Sequence, residues 1–245
     1  MSLDAWLSFD VQGDLLESAR ECEAEVFLRW YGNTRSELED EYGPYEDSSV
    51  YMAVSDDSGE VVATMRLLVP GGSAGLKTLH DIGRAPWGVD GSRAGNLAGL
   101  DLGSTIEIAT ISSRRKSTAH GLRHSFALYR GLVLASRANQ FTSLVAILDD
   151  RVRRLLDTVG LVTLPLPGTG PAPYLGSEAS TPVFAHGPAI LDNQRRASPE
   201  AFALVSQGIG LDGISVPQED EFRLRCGAAA ELMPAWSAPT PISVG

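Results

Sequence analysis

Ser49-Val50-Tyr51-Met52-Ala53-Val54 and Val61-Val62-Ala63-Thr64-Met65-Arg66-Leu67-Leu68-Val69 are two β-rich runs on either side of Asp56-Asp57-Ser58-Gly59. Branched and apolar residues flanking a turn-forming quartet specify an antiparallel hairpin. Further on, a β-rich run at 104–112 precedes helical spacing at 119–138 (Leu122, Phe126, Tyr129, Leu132, Val133), a second β-rich run at 142–148 and a short helical run at 150–158. Strands joined through a helix of that length pair in parallel. A chain that holds both a hairpin and a crossover must build a mixed sheet, so the fold class is α+β (mixed α/β) with helices flanking the sheet.

The remaining segments dress that sheet. Val11, Leu15, Leu16, Ala19, Cys22, Val26 and Phe27 recur at three and four residues, which predicts an amphipathic helix over 11–30, and a second short helix or turn fits 34–42. Residues 71–103 hold nine glycines around Pro86-Trp87 and read as a long irregular excursion. Residues 163–176 are rich in Pro and Gly, 181–185 reads as a late strand and 198–208 as a helix. The pattern fades after Gly210, which predicts one domain over 1–210 and a C-terminal extension or tail over 211–245.

Net charge is −11, which argues against nucleic acid and anionic membranes as partners. No run approaches the ~20 apolar residues of a membrane span, and the N-terminus lacks a basic start before an apolar stretch, so a cytoplasmic protein is expected. The two cysteines, Cys22 and Cys226, lack the paired spacing of a zinc or redox site.

The distribution of charge says more than its sum. Residues 114–154 carry nine basic side chains against Asp149 and Asp150, and the crossover helix begins just after Arg114-Arg115-Lys116. Basic side chains at a helix start favour an anion, so Ile111, Ser112, Ser113, Arg114, Arg115, Lys116, His120 and Gly121 are candidates for a phosphate-bearing ligand; a solvated basic face is an equal reading. Conversely, 37–47 holds six carboxylates and no base, either a solvated loop or the lining of a pocket for an amine. His120 and His124 stand four residues apart without a third ligand in view, so no metal is expected. Glu107 sits in an otherwise apolar strand, where burial would raise it into the range of a general base; a buried ion pair with Arg66 is the competing reading.

Taken in order, Glu39-Asp40-Glu41-Tyr42, Val50-Tyr51-Met52-Ala53-Val54, Arg66-Leu67-Leu68 and Glu107-Ile108-Ala109-Thr110 resemble the N-acyl-homoserine lactone (autoinducer) synthases and the related N-acyl amino acid synthases of the GNAT superfamily of N-acetyltransferases. The resemblance covers about residues 15–160. It implies a GNAT-like, mostly antiparallel central sheet whose strands splay to admit a pantetheine thioester. The implied activity is transfer of an acyl group from acyl-phosphopantetheine, on an acyl carrier protein or as acyl-CoA, to a small-molecule amine, with no tightly bound cofactor. Glu107 is then the base, and Thr110, with backbone N–H groups near Ile111, polarises the thioester carbonyl. Asp40, Arg66, Tyr174 and His186 face the acceptor, and Tyr174 or His186 is the candidate proton donor.

The sequence departs from the autoinducer synthases at Gly43, where a second aspartate is usual, at Glu23 in place of an arginine, at Asn33 in place of a tryptophan, and at Ala109-Thr110 in place of Ser-Arg. Those departures point to an amine other than S-adenosylmethionine. Leu156 stands where many acetyltransferases carry a tyrosine acid, which favours a carrier-protein donor over acetyl-CoA. An acetyl-CoA-dependent N-acetyltransferase and a non-catalytic binding protein of the same fold are the alternatives.

Overall fold

The computed structural model describes residues 4–114 and 118–224. Strand β1 (Ala5–Phe9) leads into helix α1 (Gly13–Tyr31) and helix α2 (Arg35–Tyr42). Thr34 caps α2 through a reciprocal pair: its hydroxyl accepts from the Glu37 N–H, and the Glu37 carboxylate accepts from the Thr34 N–H. The hairpin follows as β2 (Ser49–Asp56) and β3 (Val61–Leu68), closed by Asp56 Oδ1, which accepts from the N–H groups of Ser58 and Glu60.

The excursion after β3 is less irregular than its composition predicts. It forms α3 (Lys77–Asp81) and α4 (Gly91–Leu97), and Leu76, Ile82, Ala94, Ala98 and Leu100 make an apolar cluster with Val145, Leu166 and Phe184. Glycine is needed at position 91 because a Cβ there would lie 1.9 Å from the Leu79 carbonyl oxygen. Nine scattered glycines masked this packing from a reading based on composition.

The crossover is β4 (Thr105–Ser113), α5 (Thr118–Ala138) and β5 (Ser143–Asp149), followed by α6 (Asp150–Thr158). Then come β6 (Leu164–Pro165), β7 (Ala172–Tyr174), β8 (Ser177–His186), α7 (Gly187–Ala197) and α8 (Pro199–Phe202), a π-turn at Ala203–Gln207, and β9 (Ile214–Ser215). The expected helix at 198–208 is therefore α8 continued as the π-turn.

The strand order is β6-β8-β5-β4-β3-β2-β1-β9, with β7 paired to β8. Among the described residues only β4–β5 and β1–β9 pair in parallel, so the sheet is mixed and mostly antiparallel as expected. The main core lies between the sheet and α5, where Met52, Met65, Leu67, Leu128 and Ala135 are buried with Phe222. Phe222 and β9 belong to the segment predicted as an extension, and residues 211–224 pack as part of the domain body. On the other face α1 packs Ala19 and Cys22 against Tyr51 and Ala53. Burial pushes the Cys22 thiol up to about 12, so it acts as a small apolar side chain. Cys226 and the 234–245 tail lie outside the described residues. No described helix is long and apolar enough to cross a membrane.

Candidate active site

The sheet forks in its middle. β4 and β5 pair only over Thr105–Glu107 and Ser143–Val145; beyond that row β4 stays with β3 as far as Ser113, and β5 stays with β8 as far as Asp149. At the fork the register with β3 shifts: Arg66 faces Thr110 and Leu67 faces Ile108, which leaves Ala109 as the extra residue of a β-bulge. An apolar cavity of about 550 Å³ opens in the fork, walled by Ile108 and Ile111 of β4, Leu144 and Leu148 of β5, Leu132 of α5 and Leu156 of α6. Its volume and apolar walls are those of a small-molecule site.

One side of the bulge carries a buried ion pair. Glu23 of α1 is buried, and its carboxylate accepts from Arg66 Nη2 at 2.7 Å, from the Tyr51 hydroxyl at 3.0 Å and from the Thr110 hydroxyl. The Arg66 guanidinium lies between two aromatic faces, 4.3 Å from the Tyr42 ring centre and 4.8 Å from that of Tyr51. Burial alone would lower Arg66, but Glu23 beside it, with Tyr51 and Tyr42, more than offsets this and holds the guanidinium charged. The Tyr42 hydroxyl donates to the Ala109 carbonyl at 3.2 Å and so ties α2 to the bulge. A second cleft of about 320 Å³ runs between α1 and α2, lined by Arg20, Glu23, Arg35, Leu38, Glu39 and Arg66.

The other side carries Glu107, which pairs with no arginine among the described residues. Its carboxyl is buried and accepts from the Thr78 N–H at 3.0 Å to each oxygen and from the Thr78 hydroxyl at 2.9 Å. Burial pushes Glu107 up to about 7, against the Thr78 hydrogen bonds and the charge of Lys77, which pull it down, and with Asp81, which adds to the rise. Lys77 donates to Glu41, to Asp81 and, at 2.7 Å, to the Tyr174 hydroxyl. Tyr174 in turn donates to Asp81 at 2.5 Å and packs on Trp87, with ring centres 5.6 Å apart.

The structure sorts the expected residues. Glu107 stands at the last paired row of the fork, and its competing assignment as the partner of Arg66 is overturned because Glu23 takes that arginine. The Thr110 hydroxyl donates to Glu23, so it is not free to polarise a carbonyl. Ile111 lines the cavity, and so does Tyr129, which also packs against the main core. Ser112 and Ser113 end β4 with buried hydroxyls that have no partner among the described residues.

Arg114 is not a free donor-binding cation: it pairs with Glu25 at 2.5 Å and Glu60 at 3.2 Å and donates to the Val61 carbonyl. Arg123 and Arg130 of the basic stretch are also engaged, holding the carbonyls of Gly210, Asp212 and Ser206. Arg115, Lys116 and the side chain of His120 lie outside the described residues, and Gly121 is described only as part of α5.

Of the residues expected at the acceptor, Arg66 lines the cleft between α1 and α2, whereas Asp40 is exposed on α2, and its neighbours Glu39 and Glu41 reach the cleft and Lys77. Tyr174 reaches the Lys77 cluster, but burial drives its hydroxyl far above the ordinary range and its proton is held by Asp81, which ends its candidacy as a proton donor. His186 bonds Ser143 at 2.9 Å and the Ala98 carbonyl at 3.1 Å, and is fixed in the β5–β8 ladder. Glu23, Lys77 and Thr78 were missed as site residues; the departure of Glu23 from the family pattern was the one signal of it.

The architecture is GNAT-like. FeeM, an N-acyl amino acid synthase from uncultured soil microbes, matches with a TM-score of 0.57 at 10% identity over 77% of this chain and 93% of its own. BjaI, a CoA-dependent acyl-homoserine lactone synthase solved with MTA, matches with a TM-score of 0.56 at 15% identity, covering 93% of this chain and 97% of its own. LasI, an AHL synthase, gives 0.51 at 15% identity, with 79% and 92% covered. No family model matches the chain, and no curated protein does. At these identities the shared property is the fold, and the resemblance read from the sequence agrees with it.

Proposed function

We propose that the chain is an N-acyltransferase that moves an acyl group from a phosphopantetheine thioester to an amine. The observation that carries this reading is the fork itself: an apolar cavity of about 550 Å³ between β4 and β5, with a buried carboxyl held near neutrality at the point where the strands part. A thioester has a good leaving group, so the reaction needs positioning, proton removal and stabilisation of the oxyanion, and no covalent nucleophile.

In this reading the acyl chain lies along Ile108, Ile111, Leu144 and Leu148, and the amine approaches from the cleft beside Glu23 and Arg66. The amine nitrogen attacks the thioester carbonyl carbon, Glu107 takes the proton released from nitrogen, the C–S bond breaks, and the same proton passes to the departing sulfur. Backbone N–H groups at the Ala109 bulge serve the oxyanion. The cavity exceeds what an acetyl group fills, which supports a longer acyl chain over the acetyl-CoA alternative. The carboxyl near pH 7 supports an enzyme over a passive binding protein.

The test is mass-spectrometric detection of amide after the protein is incubated with an acyl-loaded carrier protein, and separately with the matching acyl-CoA, against a pool of amino acids and amines. Product from the carrier thioester supports that donor, and product from acyl-CoA alone moves the reading to a CoA-dependent enzyme like BjaI. Binding of both donors without product would overturn the catalytic reading.

A further inference from the structure

Of the 20 lysines and arginines in the chain only Lys77 and Lys116 are lysine, and Lys77 is buried. Its ammonium has three hydrogens and three partners, Glu41 of α2, Asp81 of α3 and the Tyr174 hydroxyl of β7. A tetrahedral ammonium serves three such partners, whereas the planar guanidinium fork used elsewhere in the chain aims its donors in one plane. Three segments far apart in sequence are thus fastened at one nitrogen. The turn after β7 holds Gly176, where φ is +80° and a Cβ would lie 2.1 Å from the Tyr31 carbonyl oxygen, so this turn lies tight against the end of α1.

The residue after Lys77 is the one that holds Glu107. Thr78 is fully buried and supplies every hydrogen bond found to that carboxyl among the described residues. The ionisable groups that face Glu107 are Lys77 and Asp81 of α3, Tyr42 of α2 and Tyr45 of the following turn.

We infer that Thr78 is the positioning residue for Glu107, and that Lys77, by fastening α2, α3 and β7 together, fixes Thr78 in place. This rests on the acyltransferase reading for its purpose but not for its test. Both Thr78 groups donate, so they favour the carboxylate over the acid; losing one shifts the equilibrium toward the acid.

The experiment follows the infrared carboxyl band of the full chain against pH, with the band assigned by its loss in Glu107→Gln. In Thr78→Val the midpoint should rise by about one pH unit, and kcat at pH 7 should fall about fivefold and recover at higher pH, with KM for the thioester unchanged. Thr78→Ser restores the hydroxyl and should restore both. Lys77→Arg keeps the charge, so a displaced midpoint there reports a displaced Thr78. Should Thr78→Val not fold, Thr78→Ala removes the same donor with less bulk.

A midpoint that ignores the loss of the Thr78 hydroxyl overturns the positioning role, and one that ignores Lys77→Arg overturns the fastening. A Glu107 that responds as expected in a protein yielding no amide overturns the acyltransferase reading and leaves the positioning intact.

Discussion

Two buried carboxylates flank the bulge of β4, and they are held in opposite ways. Glu23 touches a guanidinium and two hydroxyls, and that guanidinium is clamped between two tyrosine rings. Glu107 touches one threonine, while the nearest cation is engaged by two other acids. A carboxylate in direct contact with a buried arginine forms a pair that cannot be broken without stranding a charge, whereas Glu107, left to burial and neutral donors, is pushed up to about 7. In the proposed reading the difference separates an acid that fixes structure from an acid that exchanges protons.

The largest effect is expected at the titrating acid. Glu107→Gln keeps the size of the side chain and its acceptance from Thr78 but removes the proton acceptor, so kcat for amide formation should fall 10²- to 10⁴-fold, with the KM for thioester little changed. Steady-state assays at saturating amine measure it. A variant with full activity would move the base elsewhere.

Glu23 should instead report in stability. Glu23→Ala leaves Arg66 charged and unpaired in the interior and should cost about 3 to 5 kcal/mol in denaturant unfolding, because breaking a buried pair exposes the full desolvation cost of the survivor. Equal stability of Glu23→Ala and the parent would break the comparison at its structural end.

The third effect is a pH dependence with a definite sign. Glu107 moves from an ordinary value of 4.5 to about 7 on folding, so between these values the folded chain holds a proton that the unfolded chain has released. Stability therefore declines as pH rises across that window, on the order of 3 kcal/mol from this group. The urea midpoint of the parent should carry this decline between pH 4.5 and 7, and Glu107→Gln should lack it.

The legibility of the two acids differs for physical reasons. Glu107 could be read because it is the one acid in an apolar strand, where a charge has no solvent-facing alternative. Glu23 lies in α1 between Glu21 and Glu25, a series that looks like a solvated helix face, and its burial depends on Arg66, 43 residues away. In the acidic block Asp40 was the residue singled out, yet Glu39 lines the cleft and Glu41 pairs with Lys77. Thr34 and Glu37 fix the start of α2, and Leu38 and Tyr42 then point inward, so Asp40 must point out while Glu39 and Glu41 flank the buried stripe.

The hairpin, the crossover and the splay followed from local pattern and resemblance. Helix α7 did not: residues 187–197 were given no element, although a proline in the first turn begins a helix. The Lys77–Tyr174 contact spans 97 residues of sequence, and no periodicity marks such a pair.

The smallest effect concerns the basic stretch and sharpens the comparison at the surface. A cation free to steer an acidic carrier protein accelerates encounter, and its removal lowers the association rate and the salt dependence together. Arg114 is paired with Glu25 and Glu60 and bonded to a backbone carbonyl, so its field is largely cancelled before a partner arrives. Arg114→Ala should therefore cost about 1 kcal/mol or less in stability, as partly exposed pairs do. It should change kcat/KM for a carrier-bound thioester less than twofold, with the salt dependence preserved. Charge reversal at Arg115 and Lys116 is the contrasting variant: a steep loss there beside an indifferent Arg114 places docking on those two residues, whereas a steep loss at Arg114 would mean that its ion pairs open when the donor docks.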